Sequence, residues 1–418
     1  MDNFRSGHGR FLRRGGAALA ALLLAGLGAA PAVQAVGGSE AARGEVVHRV
    51  DRGALLKVTR VADLSRGEVA AFLAAGKIDT GTVRYGVTAY RLTYRTVGTD
   101  GRSTTATGLF VLPKTSRGRA LGLVSDTHGT MVHRDYAPSV GEDFGRLSPY
   151  LHAAAGKAVA APDYLGLGKG SGLHPYMDTR SAVTASQDML RASRTAAGRE
   201  GRKLTGDLYL TGFSQGGQVA MALAKELRKG SGGVPFRVRA VAPVSGPYDL
   251  SGEEIPALFD GRVNDTSGIF YTAYFLVAQN RLHPLYKDPA EAFRAPYADR
   301  VEALFDGRHG EEDVVAALPE SVKQLLTPEF SERMKHPTGG LKEALEANDG
   351  ACAWKPRVPV RLYAARGDTD VPIGNARSCA AGLAAHGARV PVLDQGAVPH
   401  TESVTRATPK IARWFATR

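Results

Sequence analysis

The chain has 418 residues, 43% of them apolar and 22% charged, with 50 Gly, 22 Pro and 2 Cys. That composition excludes disordered, collagenous and disulfide-scaffold classes, and the length suits one large domain with an insertion, or two domains. The formal charge of +12 invites a nucleic-acid partner, which the order of the residues argues against.

Residues 1–35 read as a signal peptide. Arg5, Arg10, Arg13 and Arg14 form a basic start, Ala17 to Ala30 is an apolar run, and Ala30-Pro31-Ala32 and Val33-Gln34-Ala35 supply small residues at cleavage spacing. Export with cleavage after Ala35 is therefore expected. The run of about 14 residues is short of the ~20 that span a bilayer, and the residues after Arg13-Arg14 do not support a twin-arginine signal. Removing this segment takes away four Arg and one Asp, leaving a mature chain near +9. Its basic residues are scattered, without an Arg/Lys block or interleaved aromatics, so no nucleic-acid surface is expected. A solvated basic face with some attraction to anionic envelope or lipid accounts for the charge. The oligomeric state leaves no mark on the sequence.

Residues 36–82 mix charge and Ala without firm periodicity and read as an N-terminal extension with short helices. Val83 to Val97, a Thr-Asp-Gly-Arg turn at 99–102 and Thr104 to Leu112 then make a hairpin. Short apolar runs come next at Ala120 to Ser125, Ala158 to Ala161, Leu208 to Thr211 and Val238 to Pro243. Between them, Ser181 to Ala197 and Gln218 to Arg228 carry apolar residues at helical spacing. This alternation is that of a mostly parallel sheet covered by helices. From Ser251 to about Gly350 the strand signal disappears; a helical segment this long is an inserted subdomain, not a connection. Sheet pattern resumes at Val358 to Ala364 and Val390 to Leu393, and Thr405 to Thr417 closes the chain as a helix. Cys352 and Cys379 are the only cysteines. In an exported chain one disulfide between them is expected, the alternative being two buried thiols. Neither has a CxxC partner, so no metal site is expected.

Chemistry enters at Gly212-Phe213-Ser214-Gln215-Gly216-Gly217. In a chain with 50 Gly the G-x-S-x-G pattern is weak alone, but Leu208 to Thr211 precedes it as a strand and Val219, Ala220, Leu223 and Leu227 come after it at helical spacing. A strand turning sharply into a helix exposes the Ser214 hydroxyl at the turn. A serine needs a base and an orienting acid, which in this arrangement come in the order Ser, acid, His. His386 lies within a helical pattern before the last strand; His400, in the loop after it, is the base. Arg366-Gly367-Asp368-Thr369-Asp370-Val371-Pro372 offers two acids. Asp368 is favoured by its D-x-x-V-P spacing, and Asp370 fits a G-x-x-D reading. For the oxyanion, Gln215 supplies one backbone N–H and the loop Asp126-Thr127-His128-Gly129-Thr130 the other, with Thr130 preferred over Gly129. His128 then fixes the loop.

With those residues, and with Ala161-Pro162-Asp163-Tyr164-Leu165-Gly166-Leu167-Gly168, the chain resembles the secreted α/β-hydrolases of the lipase/esterase kind, nearest to secretory lipases of the LIP type. The resemblance covers roughly residues 83–418. It implies an α/β-hydrolase core over 83–250 and 351–418, with 251–350 as a helical lid or cap, and Asp163 as a turn residue. Phe270, Tyr271, Tyr274 and Phe275 are candidates either for an acyl pocket or for the core of the insertion. It also implies a serine hydrolase of small-molecule or lipid esters that needs no cofactor. An exported peptidase or acyltransferase on the same fold, and a catalytically silent binding protein, are the rival readings.

Overall fold

A computed structural model describes residues 52–228, 230 and 236–418; the expected signal segment 1–35 and the expected cleavage after Ala35 lie outside the described residues. The described chain opens with β1 (Leu55–Leu64) and α1 (Arg66–Ala75), then the hairpin β2 (Val87–Val97) and β3 (Ser103–Pro113). Next come β4 (Leu121–Thr127), α2 (Phe144–Ala154), β5 (Ala158–Pro162), α3 (Thr179–Arg199), β6 (Leu204–Phe213), α4 (Gln215–Arg228) and β7 (Arg237–Val244).

A run of helices succeeds them: α5 (Ile255–Asp260), α6 (Asp265–Asn280), α7 (Pro289–Ala292), α8 (Val301–Leu304), α9 (Glu311–Ala317), α10 (Val322–Leu325), α11 (Pro328–Lys335) and α12 (Gly339–Asp349). The chain returns through β8 (Leu362–Ala364), α13 (Gly374–Ala385), β9 (Val392–Asp394) and α14 (His400–Ala416).

The nine strands form one sheet in the order β1-β2-β3-β5-β4-β6-β7-β8-β9. The pairs among β1, β2, β3 and β5 are antiparallel, and those from β5 through β4, β6, β7 and β8 to β9 are parallel. Successive side chains leave a strand on opposite faces. Leu123, Leu208, Leu210 and Val241 accordingly pack beneath α3 and α4, whereas Val124, Tyr209, Ala240 and Ala242 pack beneath α2 and α14. Both faces are covered, so the parallel strands read as continuous apolar runs rather than alternating ones.

One expectation needs correction. Residues 55–64, assigned to an extension of short helices, form a full strand that pairs antiparallel with β2. Only Leu55 of β1 is buried; an edge strand whose other side chains are half-buried or exposed carries no clear apolar rhythm to read. The helix beside it does carry a local signal, because Ser65 and Glu68 cap each other across the start of α1.

The helices between β7 and β8 bury their own apolar cluster, built around Ile269, Leu276, Phe293, Leu325 and Leu341. Cys352 and Cys379 are joined in a disulfide that ties the exit of this insertion to α13. Among the described residues no helix is long and apolar enough to cross a membrane.

Candidate active site

The parallel strands bring their C-terminal ends to one edge of the sheet, where α/β folds place their ligands. Ser214 stands there between β6 and α4 with φ +55°, a left-handed conformation that costs a non-glycine residue energy and is held only where its surroundings insist. Those surroundings are plain. Ser214 N–H donates to Val244 O at 2.9 Å and Gly217 N–H donates to Ser214 O at 2.8 Å. At Gly212 a Cβ would collide with Thr127 Oγ1 and the Gly216 carbonyl, and at Gly216 with the Thr127 carbonyl. The two glycines of the motif are there because the turn is pressed against the end of β4.

The loop after β4 crosses directly over the serine: a Cβ on Gly129 would lie 3.2 Å from Ser214 Cβ. Thr130 lines the same cavity as Ser214 and Gln215, and its hydroxyl pairs with Tyr176 Oη at 2.9 Å. Gln215 opens α4, so its N–H is among the first of a helix and has no partner within it. The side-chain oxygen of Gln215 is also buried without a partner among the described residues. His128 is buried, with Nδ1 2.6 Å from Gly129 O and Nε2 3.2 Å from Asp163 O. Burial holds it below the usual imidazole range, and both of its ring nitrogens face loop carbonyls. Asp163 is fully buried and accepts from Thr107 Oγ1 at 2.6 Å and Ser139 N–H at 3.0 Å; its carboxylate pins the turn after β5.

His400 is the first residue of α14, not part of a free loop as the sequence suggested. Its carbonyl accepts from Ser403 Oγ at 2.6 Å, and Ser403 Oγ lies 2.9 Å from Ser245 Oγ at the end of β7. The imidazole lies 4.5 Å from the Phe213 ring, centroid to centroid. Its Nδ1 is 2.7 Å from Asp368 Oδ2, and its Nε2 is buried with no partner among the described residues. Because a carboxylate only accepts, Nδ1 carries a proton, and in the neutral ring Nε2 then holds the lone pair.

Asp368 comes after β8 with its other oxygen accepting from the N–H groups of Asp370 at 3.0 Å and Val371 at 2.9 Å. Asp370 points elsewhere: Asn264 Nδ2 donates to it at 2.7 Å and Tyr271 Oη at 3.3 Å, both from the insertion. His386 caps α13, with Nδ1 2.8 Å from Gly382 O, on the exposed side.

Beside Ser214 lies a cavity of about 100 Å³, walled by Leu258, Phe275, Leu341 and Leu345 of the insertion and by Val371. Two carboxyl side chains, Glu254 and Asp370, also line it. Burial, then the neighbouring Asp368 and Asp370 carboxylates, hold Glu254 well above the usual carboxylate range. The aromatic cluster of α6 divides: Tyr271 and Phe275 reach the cavity, while Phe270 and Tyr274 are buried in the insertion's core. Asn264, Tyr176 and Glu254 carry no motif; tertiary placement alone brings them to the site. Among the described residues no group of three or more His, Cys, Asp or Glu is arranged to hold a metal ion.

Compared by sequence, the chain matches no family model and no curated protein. By structure it is similar to a Legionella pneumophila protein assigned as a hydrolase, with TM-score 0.80 and 27% identity over 87% of this chain and 97% of that one. It is likewise similar to the rice cell wall degrading esterase LipA of Xanthomonas oryzae, with TM-score 0.73 and 28% identity over 86% and 95%. Candida antarctica lipase A shares the fold at TM-score 0.61 and 16% identity over 84% and 78%.

Proposed function

We propose that this chain, an α/β-hydrolase of the lipase/esterase type, is an exported serine hydrolase that cleaves carboxylic esters through an acyl-enzyme on Ser214, His400 and Asp368. The observation that carries the reading is the orientation of His400. Its Nδ1 is engaged by Asp368 at 2.7 Å, which leaves a buried, unpartnered Nε2 as the base.

In this reading Nε2 takes the Ser214 proton as Oγ attacks the ester carbonyl, and Asp368 stabilises the imidazolium that forms. The N–H groups of Gln215 and Thr130 receive the negative charge of the tetrahedral oxygen. His400 then gives its proton to the departing alcohol, and water repeats the attack on the acyl-enzyme. The apolar walls supplied by the insertion suit an acyl chain, and covering the site with them excludes bulk water. The disulfide between Cys352 and Cys379 fits an oxidising compartment outside the cytoplasm.

Hydrolysis of 4-nitrophenyl esters of increasing acyl length, alongside arylamides, tests the proposal. Ser214→Ala is expected to lose at least ~10⁴-fold in kcat; ester turnover retained by that variant would overturn it. One observation favours a second reading. Glu254 and Asp370 in the cavity wall suit the ammonium of a peptide N-terminus, so arylamides of free amino acids turned over faster than esters would move the assignment to an aminopeptidase.

A further inference from the structure

We infer that the helical insertion positions the oxyanion loop: Tyr274 of α6 and Tyr176, in the connection before α3, are positioning residues that hold Thr130 and Met131 through their hydroxyl groups. The inference rests on the serine-hydrolase proposal, in which the Thr130 N–H faces the developing oxyanion.

Residues 128–131 belong to no helix or strand, so no ladder of backbone hydrogen bonds fixes the direction of their peptide groups. Side chains meet them instead: His128 Nδ1 lies 2.6 Å from Gly129 O and Tyr164 Oη donates to His128 O at 3.2 Å, and two further phenols reach Thr130 and Met131. Tyr176 Oη lies 2.9 Å from Thr130 Oγ1, and Tyr274 Oη donates to Met131 O at 3.2 Å. Both residues are buried. Their rings stack face to face, centroids 4.2 Å apart and planes 8° apart, and Phe305 covers the other face of Tyr274 at 4.7 Å. Gln279 Nε2, further along α6, donates to Tyr176 O at 2.7 Å. At the opposite end of the same helix, Asn264 donates from its N–H to Thr369 O at 2.9 Å and from its side chain to Asp370 Oδ1 at 2.7 Å. A single helix of the insertion is thus bonded to the acid loop at one end and to the oxyanion loop at the other.

A ring stack alone would only fill space, and phenylalanine would serve as well. The hydroxyls add direction, and the chemistry depends on direction, because an N–H stabilises an oxyanion only when aimed at it. Removing either hydroxyl while keeping the ring should leave the fold and ground-state binding in place and loosen the aim. Tyr176→Phe and Tyr274→Phe are therefore expected to lower kcat for a 4-nitrophenyl ester about 10-fold to 30-fold, with KM within about twofold, a part of the 10²–10³ that loss of an oxyanion donor costs.

The decisive reading is the affinity for a trifluoromethyl ketone, whose tetrahedral adduct on Ser214 bears the oxyanion. Its inhibition constant should rise by the same factor as kcat falls, while the pH profile of kcat/KM stays in place. Because Thr130→Val removes the other half of one contact, Tyr176→Phe combined with Thr130→Val should cost no more than the worse single change. Unchanged adduct affinity in both tyrosine variants, or full additivity of that pair, overturns the inference. A fluorophosphonate probe separates the two levels. If wild type is not labelled at Ser214, the serine-hydrolase reading falls, whereas labelled but kinetically unchanged tyrosine variants defeat only the positioning role.

Discussion

Asp368 and Asp370 stand two residues apart after β8 and bond in different directions. Spacing after β8 favours Asp368 but leaves Asp370 open, and the distinction lies in the direction of each side chain, which the fold decides. Asp368 turns to His400; Asp370 turns outward to Asn264 and Tyr271 of the insertion. Asp368→Asn is therefore expected to lower kcat by roughly 10³-fold to 10⁴-fold, since an amide cannot hold the imidazole in the same tautomer. Asp370→Asn should cost far less, about tenfold or under; steady-state kinetics on both variants, with the larger loss in the second, would reassign the acid. Asp126 makes a different prediction. It is buried near the end of β4 with Ser148 Oγ donating at 2.6 Å, and burial pushes its carboxyl up to about 7. In the unfolded chain the same group loses its proton near 4. Between those values the folded state binds the extra proton, so this residue makes the protein less stable as pH rises from about 4 through 7. Asp126→Asn should remove that slope, gaining up to a few kcal/mol on wild type at pH 8 and little at pH 4. Thermal unfolding across this range measures it, and parallel curves for the two proteins would refute it.

At the scale of elements, legibility tracks burial. Strands covered on both faces, such as β6 and β7, stand out as apolar runs where consecutive positions are buried, at 208–212 and 240–244. The edge strand β1 does not, for the opposite reason. The β8 and β9 strands are regular over only three residues each, yet the residues after them supply Asp368 and the path to His400. Their brevity matters little because each extends the sheet in turn, β8 pairing with β7 and β9 with β8. The last helix begins more than a turn before its apolar spacing indicates. Pro399 stands just before it with His400 as its first residue, and a Gly-Ala-Val-Pro stretch reads as loop up to the point where the helix begins. The insertion is visible as helical, but not what its helices touch. The aromatic run on α6 has no period that separates Phe275, facing the cavity, from Tyr274, facing the oxyanion loop. Such a division arises only once a second body of chain packs against the helix.

For the molecule as a whole, net charge proves a poor guide to the site. The chain is +12, but the cavity beside Ser214 is lined by Glu254 and Asp370 with no Lys or Arg in its wall. Glu311 stands near enough that the Asp370 carboxylate, after burial, helps raise it above the usual range. Long-range attraction by a basic surface and local rejection by an acidic cavity are separable effects, because solvent screens the first and burial preserves the second. An anionic acyl group would be drawn to the protein yet disfavoured in the pocket. On the esterase reading, 4-nitrophenyl hemiglutarate should show kcat/KM at least tenfold below 4-nitrophenyl valerate, about 1.4 kcal/mol in transition-state free energy. Since Glu254 titrates upward of its usual range, the gap should be narrowest in acid, where that carboxyl is neutral, and widen as pH rises. Glu254→Gln should flatten this pH dependence and narrow the gap at alkaline pH, while raised ionic strength leaves it largely in place. Equal turnover of the two esters at every pH, unaltered by Glu254→Gln, would show that the acyl group does not enter this cavity, and would place the acyl site on another face of Ser214.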